Sequence, residues 1–146
     1  MSAIEEILKV KKVRNNKGEE VDVSSFCGKD KYVGLYFSAH WCPPCKGFTP
    51  VLAEFYNKLN AEGKKLEIIF ISSDRSAEEF KNYFDSMPWL AIDISETDIT
   101  KQIKEKYGIR GIPNFTLLDG ETGETIHQNA RNEVTSDTEG KNFPWK

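Results

Sequence analysis

The run Tyr32-Val33-Gly34-Leu35-Tyr36-Phe37-Ser38 constrains this chain more than any other stretch. It has strand length, is apolar at nearly every position, and lacks the alternation of a strand with one wet face. Such a strand belongs inside a sheet covered on both sides, which calls for parallel neighbours and crossover helices. The chain supplies them. From Pro43 to about Glu62, apolar residues at Phe48, Val51, Leu52, Phe55 and Leu59 describe one face of a helix, with Gly63 as its stop. Leu66 to Ile71 is a second apolar strand. Ser76, with Glu79 three residues on, has the pattern of a capping box, and Phe80, Tyr83, Phe84 and Met87 form the buried stripe of the helix it opens.

Thr97 to Tyr107 predicts another helix, stopped by Gly108. Phe115 to Leu118 and Glu124 to Gln128 pair as a hairpin around Asp119-Gly120-Glu121-Thr122-Gly123. At the other end, Lys9 to Arg14 and Glu20 to Val23 flank the turn residues Asn15-Asn16-Lys17-Gly18 and form an N-terminal β-hairpin extension. The polar tail from Asn129 ends in Phe143-Pro144-Trp145, which predicts a last short helix docked by Trp145. The resulting order, βαβαβαββ, is that of an α/β fold: a central mixed sheet, mostly parallel, flanked by helices, with an antiparallel edge. At 146 residues the chain is expected to form a single domain over residues 1–146.

Charge and hydropathy exclude several functions. The 20 basic and 23 acidic residues are dispersed and leave a net charge of -3, so there is no basic stripe for phosphates and no nucleic acid partner is expected. No segment approaches the roughly 18 to 20 consecutive apolar residues of a membrane span. Met1 to Val10, interrupted by Glu5, Glu6 and Lys9, lacks the apolar core of a leader. A cytoplasmic monomer follows as the expectation, with the nucleus also open. The sequon Asn114-Phe115-Thr116 falls in a strand that should be buried, which argues against its use as a glycosylation acceptor.

Cys42 and Cys45 carry the chemistry. If Cys42 is the N-cap of the helix after the central strand, Pro43 and Pro44 take the first two helical positions, where a missing N–H and a fixed φ do little harm. The first backbone N–H able to reach the Cys42 sulfur is then that of Cys45, and the positive end of the helix adds attraction for an anion. That environment favours the thiolate and makes Cys42 the attacking sulfur, with Cys45 one turn inside as the resolving thiol. Two other readings are weaker. A metal site would need further ligands from Cys27, His40 and His127, and the sequence has only one Cys-X-X-Cys. A purely structural disulfide across so short a loop would remove little entropy from the unfolded chain.

Leu35 to Pro50, including Trp41-Cys42-Pro43-Pro44-Cys45-Lys46-Gly47-Phe48-Thr49-Pro50, resembles the tryparedoxin and nucleoredoxin group of the thioredoxin superfamily. So do Tyr83-Phe84 with Met87-Pro88-Trp89-Leu90-Ala91, Tyr107-Gly108-Ile109-Arg110-Gly111-Ile112-Pro113 and Phe143-Pro144-Trp145. The resemblance implies a thioredoxin-like fold and a redox-active Cys42–Cys45 pair that needs no other cofactor and no metal. It implies a cis Pro113 facing the pair, a substrate groove lined by Pro43, Pro44, Ile112 and Pro113, Trp41 as an exposed lid, and Arg131 at a basic groove position. Two departures mark the chain. Tyr36 stands where thioredoxins proper have a buried Asp, and Ser73 stands before Asp74 where tryparedoxins tend to have Trp. The second points away from the dithiol trypanothione, and His40 with the Tyr107 to Pro113 stretch leans toward nucleoredoxin.

Among the remaining residues, Cys27 beside Phe26 reads as a small buried hydrophobe and not a third redox centre. His40 is expected to be exposed, Trp89 to be core, and Asp74 to cap a turn in preference to lining the groove. Arg131 is equally readable as a solvated surface charge. The function implied is reduction of protein disulfides, with an upstream thiol reductant restoring the dithiol. The rival is a redox-regulated binding module using the same groove with little turnover. The purified reduced protein should carry only trace zinc; a near-stoichiometric amount by elemental analysis would overturn the redox reading of the pair.

Overall fold

A computed structural model describes residues 2–146, so Met1 alone of the predicted domain lies outside the described residues. The elements run α1 (Ala3–Leu8), β1 (Lys12–Arg14), β2 (Glu20–Asp22), β3 (Tyr32–Ser38), α2 (Pro43–Leu59), β4 (Leu66–Ser72) and α3 (Ala77–Phe84). They continue with β5 (Leu90–Ala91), α4 (Thr97–Lys106), β6 (Asn114–Asp119), β7 (Thr125–His127) and α5 (Arg131–Ser136), and a 3-10 turn at Val23–Phe26 precedes β3. The strands form one mixed sheet in the order β2-β1-β5-β4-β3-β6-β7. β3 lies parallel to β4, from Tyr32 opposite Leu66 to Ser38 opposite Ser72, and antiparallel to β6.

β3 is buried on both faces, as its apolar run requires. Tyr36 joins Phe70, Phe115 and Leu117 in a core covered by α2, α3 and α5, through Phe48, Leu52, Phe55, Phe80, Phe84 and Val134. Its neighbours Val33, Leu35 and Phe37 point the other way, into a core with Ile69, Ile71 and Leu118 covered by Ile4 and Leu8 of α1 and Ile103 of α4. The strand period of two thus deals alternate side chains into two cores, one per face.

The structure differs from the sequence expectation at the ends of elements. α1 was not expected, although Ser2 and Glu5 form a complete capping box: the Ser2 hydroxyl accepts from the Glu5 N–H and the Glu5 carboxylate from the Ser2 N–H. α2 stops at Leu59, short of Gly63, because Asn60 diverts the chain. The Asn60 amide oxygen accepts from the Lys65 and Leu66 N–H groups and its NH2 donates to the Leu66 carbonyl, tying the turn directly to β4. Val51 on α2 is only half-buried. At α3, Ser76 caps as expected, but the Glu79 carboxylate reaches the Arg75 N–H instead of closing the box. The short β5 was also not expected; it bridges β1 and β4, so the N-terminal hairpin extends the same sheet. Trp145 stacks on Phe55 of α2 at 5.5 Å and donates its indole N–H to Asp137, just past α5. It therefore docks the tail on both helices.

Asn114 opens β6 and accepts a hydrogen bond from Thr116, whose backbone is buried in mid-sheet. Among the described residues no helix is long and apolar enough to cross a membrane.

A glycine at the centre of β3 is required by packing. A Cβ on Gly34 would collide with the fully buried Phe115 ring on β6. Gly34→Ala should cost about 1–3 kcal/mol, seen as a lower denaturant midpoint at unchanged m-value; an unchanged midpoint would show that the Phe115 ring yields freely.

Candidate active site

The carboxyl end of β3 leads through Ala39, His40 and Trp41 to Cys42, the N-cap of α2. Sites in open α/β sheets gather at this end of the strands. Cys42 is extended (φ -102°, ψ 108°), Pro43 and Pro44 occupy the first two helical positions, and the Cys42 sulfur accepts from the Cys45 N–H at 3.3 Å. No acidic residue lies in the first turn of α2. The cysteines, with Cα atoms 5.2 Å apart, form a disulfide. Cys42 keeps 5% of its surface exposed and Cys45 none, so Cys42 is recessed and not freely exposed.

Facing the pair is the loop before β6. The Ile112–Pro113 peptide is cis, as the resemblance implies, and the Ile112 carbonyl oxygen lies 3.8 Å from the Cys42 sulfur. Ile112 packs against Ala39, Cys42 and Cys45, and Pro113 is buried behind it. Trp41 is 43% exposed, with its indole N–H donated to the Ser73 carbonyl at 3.1 Å and the Arg75 guanidinium 5.1 Å from its ring centroid. Pro43 and Pro44 are exposed beside it.

His40 and Asp74 depart from expectation together. The Asp74 carboxylate accepts the His40 backbone N–H at 2.7 Å and the Ser72 hydroxyl at 2.7 Å, so Asp74 ties the end of β4 to the loop before Cys42 rather than merely capping a turn. His40 is consequently half-buried, its ring 5.7 Å from that of Tyr83. Trp89 is core, packed edge-on against Tyr36 and Tyr56, and its indole N–H has no partner among the described residues.

Under Cys45 lies a chain of hydroxyls that the sequence reading missed. The Thr49 hydroxyl donates to the Cys45 carbonyl at 2.9 Å. The Thr49 oxygen also lies 2.6 Å from each of the Tyr36 and Tyr83 hydroxyls, the Tyr36 hydroxyl faces the Cys45 carbonyl at 3.4 Å, and the Ser38 hydroxyl lies 2.7 Å from that of Tyr83, so every member has a partner. Burial first, and then the neighbouring Tyr83, push the Tyr36 phenol well up, so it stays neutral at physiological pH. The partners are 34 to 45 residues apart for Tyr83, a separation at which no local spacing signals a contact.

Arg131, in the first turn of α5, lies over the Phe48 ring at 5.7 Å and is half-buried, which puts it beside α2 one turn beyond Cys45. Cys27 is half-buried, its sulfur 3.1 Å from the Val23 carbonyl, and burial pushes its thiol pKa up. His127 sits on β7 against the Trp145 carbonyl. Cys27 and His127 thus sit on other elements than the pair, and no group of three or more His, Cys, Asp or Glu among the described residues could hold a metal ion.

A family model described as thioredoxin-like matches residues 29–125. The nucleoredoxin of Homo sapiens is 47% identical over 133 residues, which is 91% of this chain but 30% of that protein. The chain therefore spans less than a third of that relative's length. The tryparedoxin of Trypanosoma brucei brucei is 42% identical over 130 residues, covering 89% of this chain and 88% of the relative. The crystal structure of native tryparedoxin I from Crithidia fasciculata matches with a TM-score of 0.90 and 38% identity, over 99% of both chains.

Thr49 is the hub of the hydroxyl chain, and its loss should be felt more than that of a terminal member. Thr49→Val, close in shape, is expected to cost about 1–3 kcal/mol because it removes the shared partner of two buried phenols and leaves each with one remaining neighbour, the Cys45 carbonyl for Tyr36 and the Ser38 hydroxyl for Tyr83, whereas Tyr36→Phe costs about 1 kcal/mol or less. Urea unfolding of both variants in the same redox state checks the order; equal costs would contradict the hub.

Proposed function

The chain belongs to the thioredoxin-like family, and on that premise we propose that it is a thiol–disulfide oxidoreductase reducing protein disulfides through Cys42 and Cys45. The observation that carries this reading is the Cys42 sulfur at the helix start, accepting the Cys45 N–H with two donor-free prolines between. A sulfur so placed gains most as an anion, because the peptide dipoles and the one available N–H converge on it.

The reduced Cys42 thiolate attacks one sulfur of a partner disulfide. The partner's other sulfur leaves as a thiolate, and a mixed disulfide to Cys42 remains. Cys45 then loses its proton and attacks the Cys42 sulfur, releasing the second partner thiol and leaving the Cys42–Cys45 disulfide. Two electrons have passed to the partner, and an upstream thiol reductant returns them. Trp41, Pro43, Pro44 and Ile112 offer the surface on which a partner chain rests, with Pro113 shaping it from behind and Arg131 flanking it. A reducing compartment, cytoplasm or nucleus, is the setting such a dithiol requires.

The two cysteines should behave asymmetrically. Cys42→Ser is expected to abolish turnover and iodoacetamide labelling at the pair near neutral pH, since Cys45 is fully buried, leaving only slow labelling at the half-buried Cys27. Cys45→Ser keeps the nucleophile but not the resolver, so a covalent partner complex should accumulate and dissolve on adding a small dithiol. Mass spectrometry after mixing each variant with an oxidised protein substrate decides it; equal trapping by both, or trapping through Cys45, would overturn the assignment.

A further inference from the structure

The turn after β4 is fastened to the loop that carries Cys42 at several points. The Ser73 N–H donates to the Ser38 carbonyl at 2.9 Å, the Ser73 carbonyl receives the Trp41 indole N–H, and Asp74 receives the His40 N–H. Within the turn, the Asp74 N–H donates back to the Ser72 hydroxyl at 2.8 Å. The opposite flank of the turn is met by one side chain from another element. Lys104 of α4 reaches in and donates to the Ser72 carbonyl at 3.1 Å and the Ser73 hydroxyl at 2.9 Å.

Lys104 is half-buried, and among the described residues no carboxylate lies within salt-bridge distance of it. Burial draws its pKa down, while the Asp74 carboxylate pulls it partly back. A lysine held this way gives up rotamer freedom and hydration without an ion pair in return. What it secures is the turn itself: the carbonyl holding Trp41 belongs to the same Ser73 whose hydroxyl Lys104 grips.

We propose that Lys104 is a positioning residue for the Cys42 site, clamping the Ser72–Asp74 turn where that turn holds the Trp41 indole and the His40 backbone beside the cysteine pair. The proposal rests on the disulfide-exchange reading given above. Lys104 touches neither cysteine; it acts through the turn, and its effect is on how Trp41 and the approach to Cys42 are held.

The test compares the full chain with Lys104→Met, which keeps the apolar stem and loses the donors, and Lys104→Gln, which keeps a neutral donor. Nuclear magnetic resonance follows solvent exchange of the three indole N–H groups, and insulin reduction gives kcat/KM. In Lys104→Met the Trp41 indole should exchange faster by roughly fivefold or more, as expected for a lost charge-assisted hydrogen bond, with Trp89 and Trp145 unaffected. Lys104→Gln should fall between. kcat/KM should drop severalfold in step, while the pH profile of Cys42 alkylation stays where it is in the parent chain.

Unchanged Trp41 exchange in both variants overturns the proposal. Equal loss of protection at Trp41, Trp89 and Trp145 would make Lys104 a residue of general stability and also overturn it. So would a shifted alkylation profile with an unmoved Trp41, which would mean that the ammonium acts on the thiolate by charge. Absence of insulin reduction by the parent chain sinks the exchange reading alone; the Trp41 exchange still decides the clamp.

Discussion

Because every residue of β3 from Val33 to Ser38 is buried, the strand is stable only where a helical layer covers each face of the sheet. Apolar burial at about 25 cal/mol per Å2 rewards that arrangement, and it fixes where the chain must go next. A parallel neighbour such as β4 requires a crossover, and the crossover is α2, which has to begin at the carboxyl end of β3. Cys42 stands at that junction. The redox pair is thus set by the connection that the central strand demands, with the cis loop of β6, antiparallel to β3, delivered to the same place.

What polarises the pair is backbone. The first turn of α2 carries no acidic residue, and the groups behind Cys45 are a set of hydrogen-bonded hydroxyls, that of Tyr36 among them. The attraction felt by the Cys42 sulfur comes from the Cys45 N–H and the open end of the helix, which are fixed in direction and already desolvated. Such a field needs no charged neighbour. The hydroxyl chain contributes order instead: it joins the end of β3, the second turn of α2 and the end of α3 beneath Cys45.

The parts legible in the sequence were those encoded within one element. β3 and α2 announced themselves by period, and Cys42 by two prolines at positions where only a helix start tolerates them. Failures fell where a local cue was outweighed by a distant or competing partner. Gly63 has the residue type of a helix stop, yet Asn60 reached β4 first. Asp74 has the residue type of a turn cap, yet its carboxylate found His40, 34 residues away. Thr49, Tyr83 and Lys104 are ordinary helical residues whose roles exist only once α2, α3 and α4 are packed, so no spacing could have flagged them. α1 had a readable signal in Ser2 and Glu5, but its brevity left no periodicity to support it.

The two outermost strands, β2 and β7, are three residues long. β2 exposes Glu20 and Asp22, and Asp22 faces Lys12 on its neighbour at 3.9 Å. Borders this short, one of them charged, give another polypeptide little to zip onto. Trp41 is the large apolar side chain left in the open among the described residues, and it directly precedes Cys42. The exposed apolar surface is therefore concentrated beside the cysteine pair, while the short outer strands resist the lasting contacts that lead to fibres and precipitates.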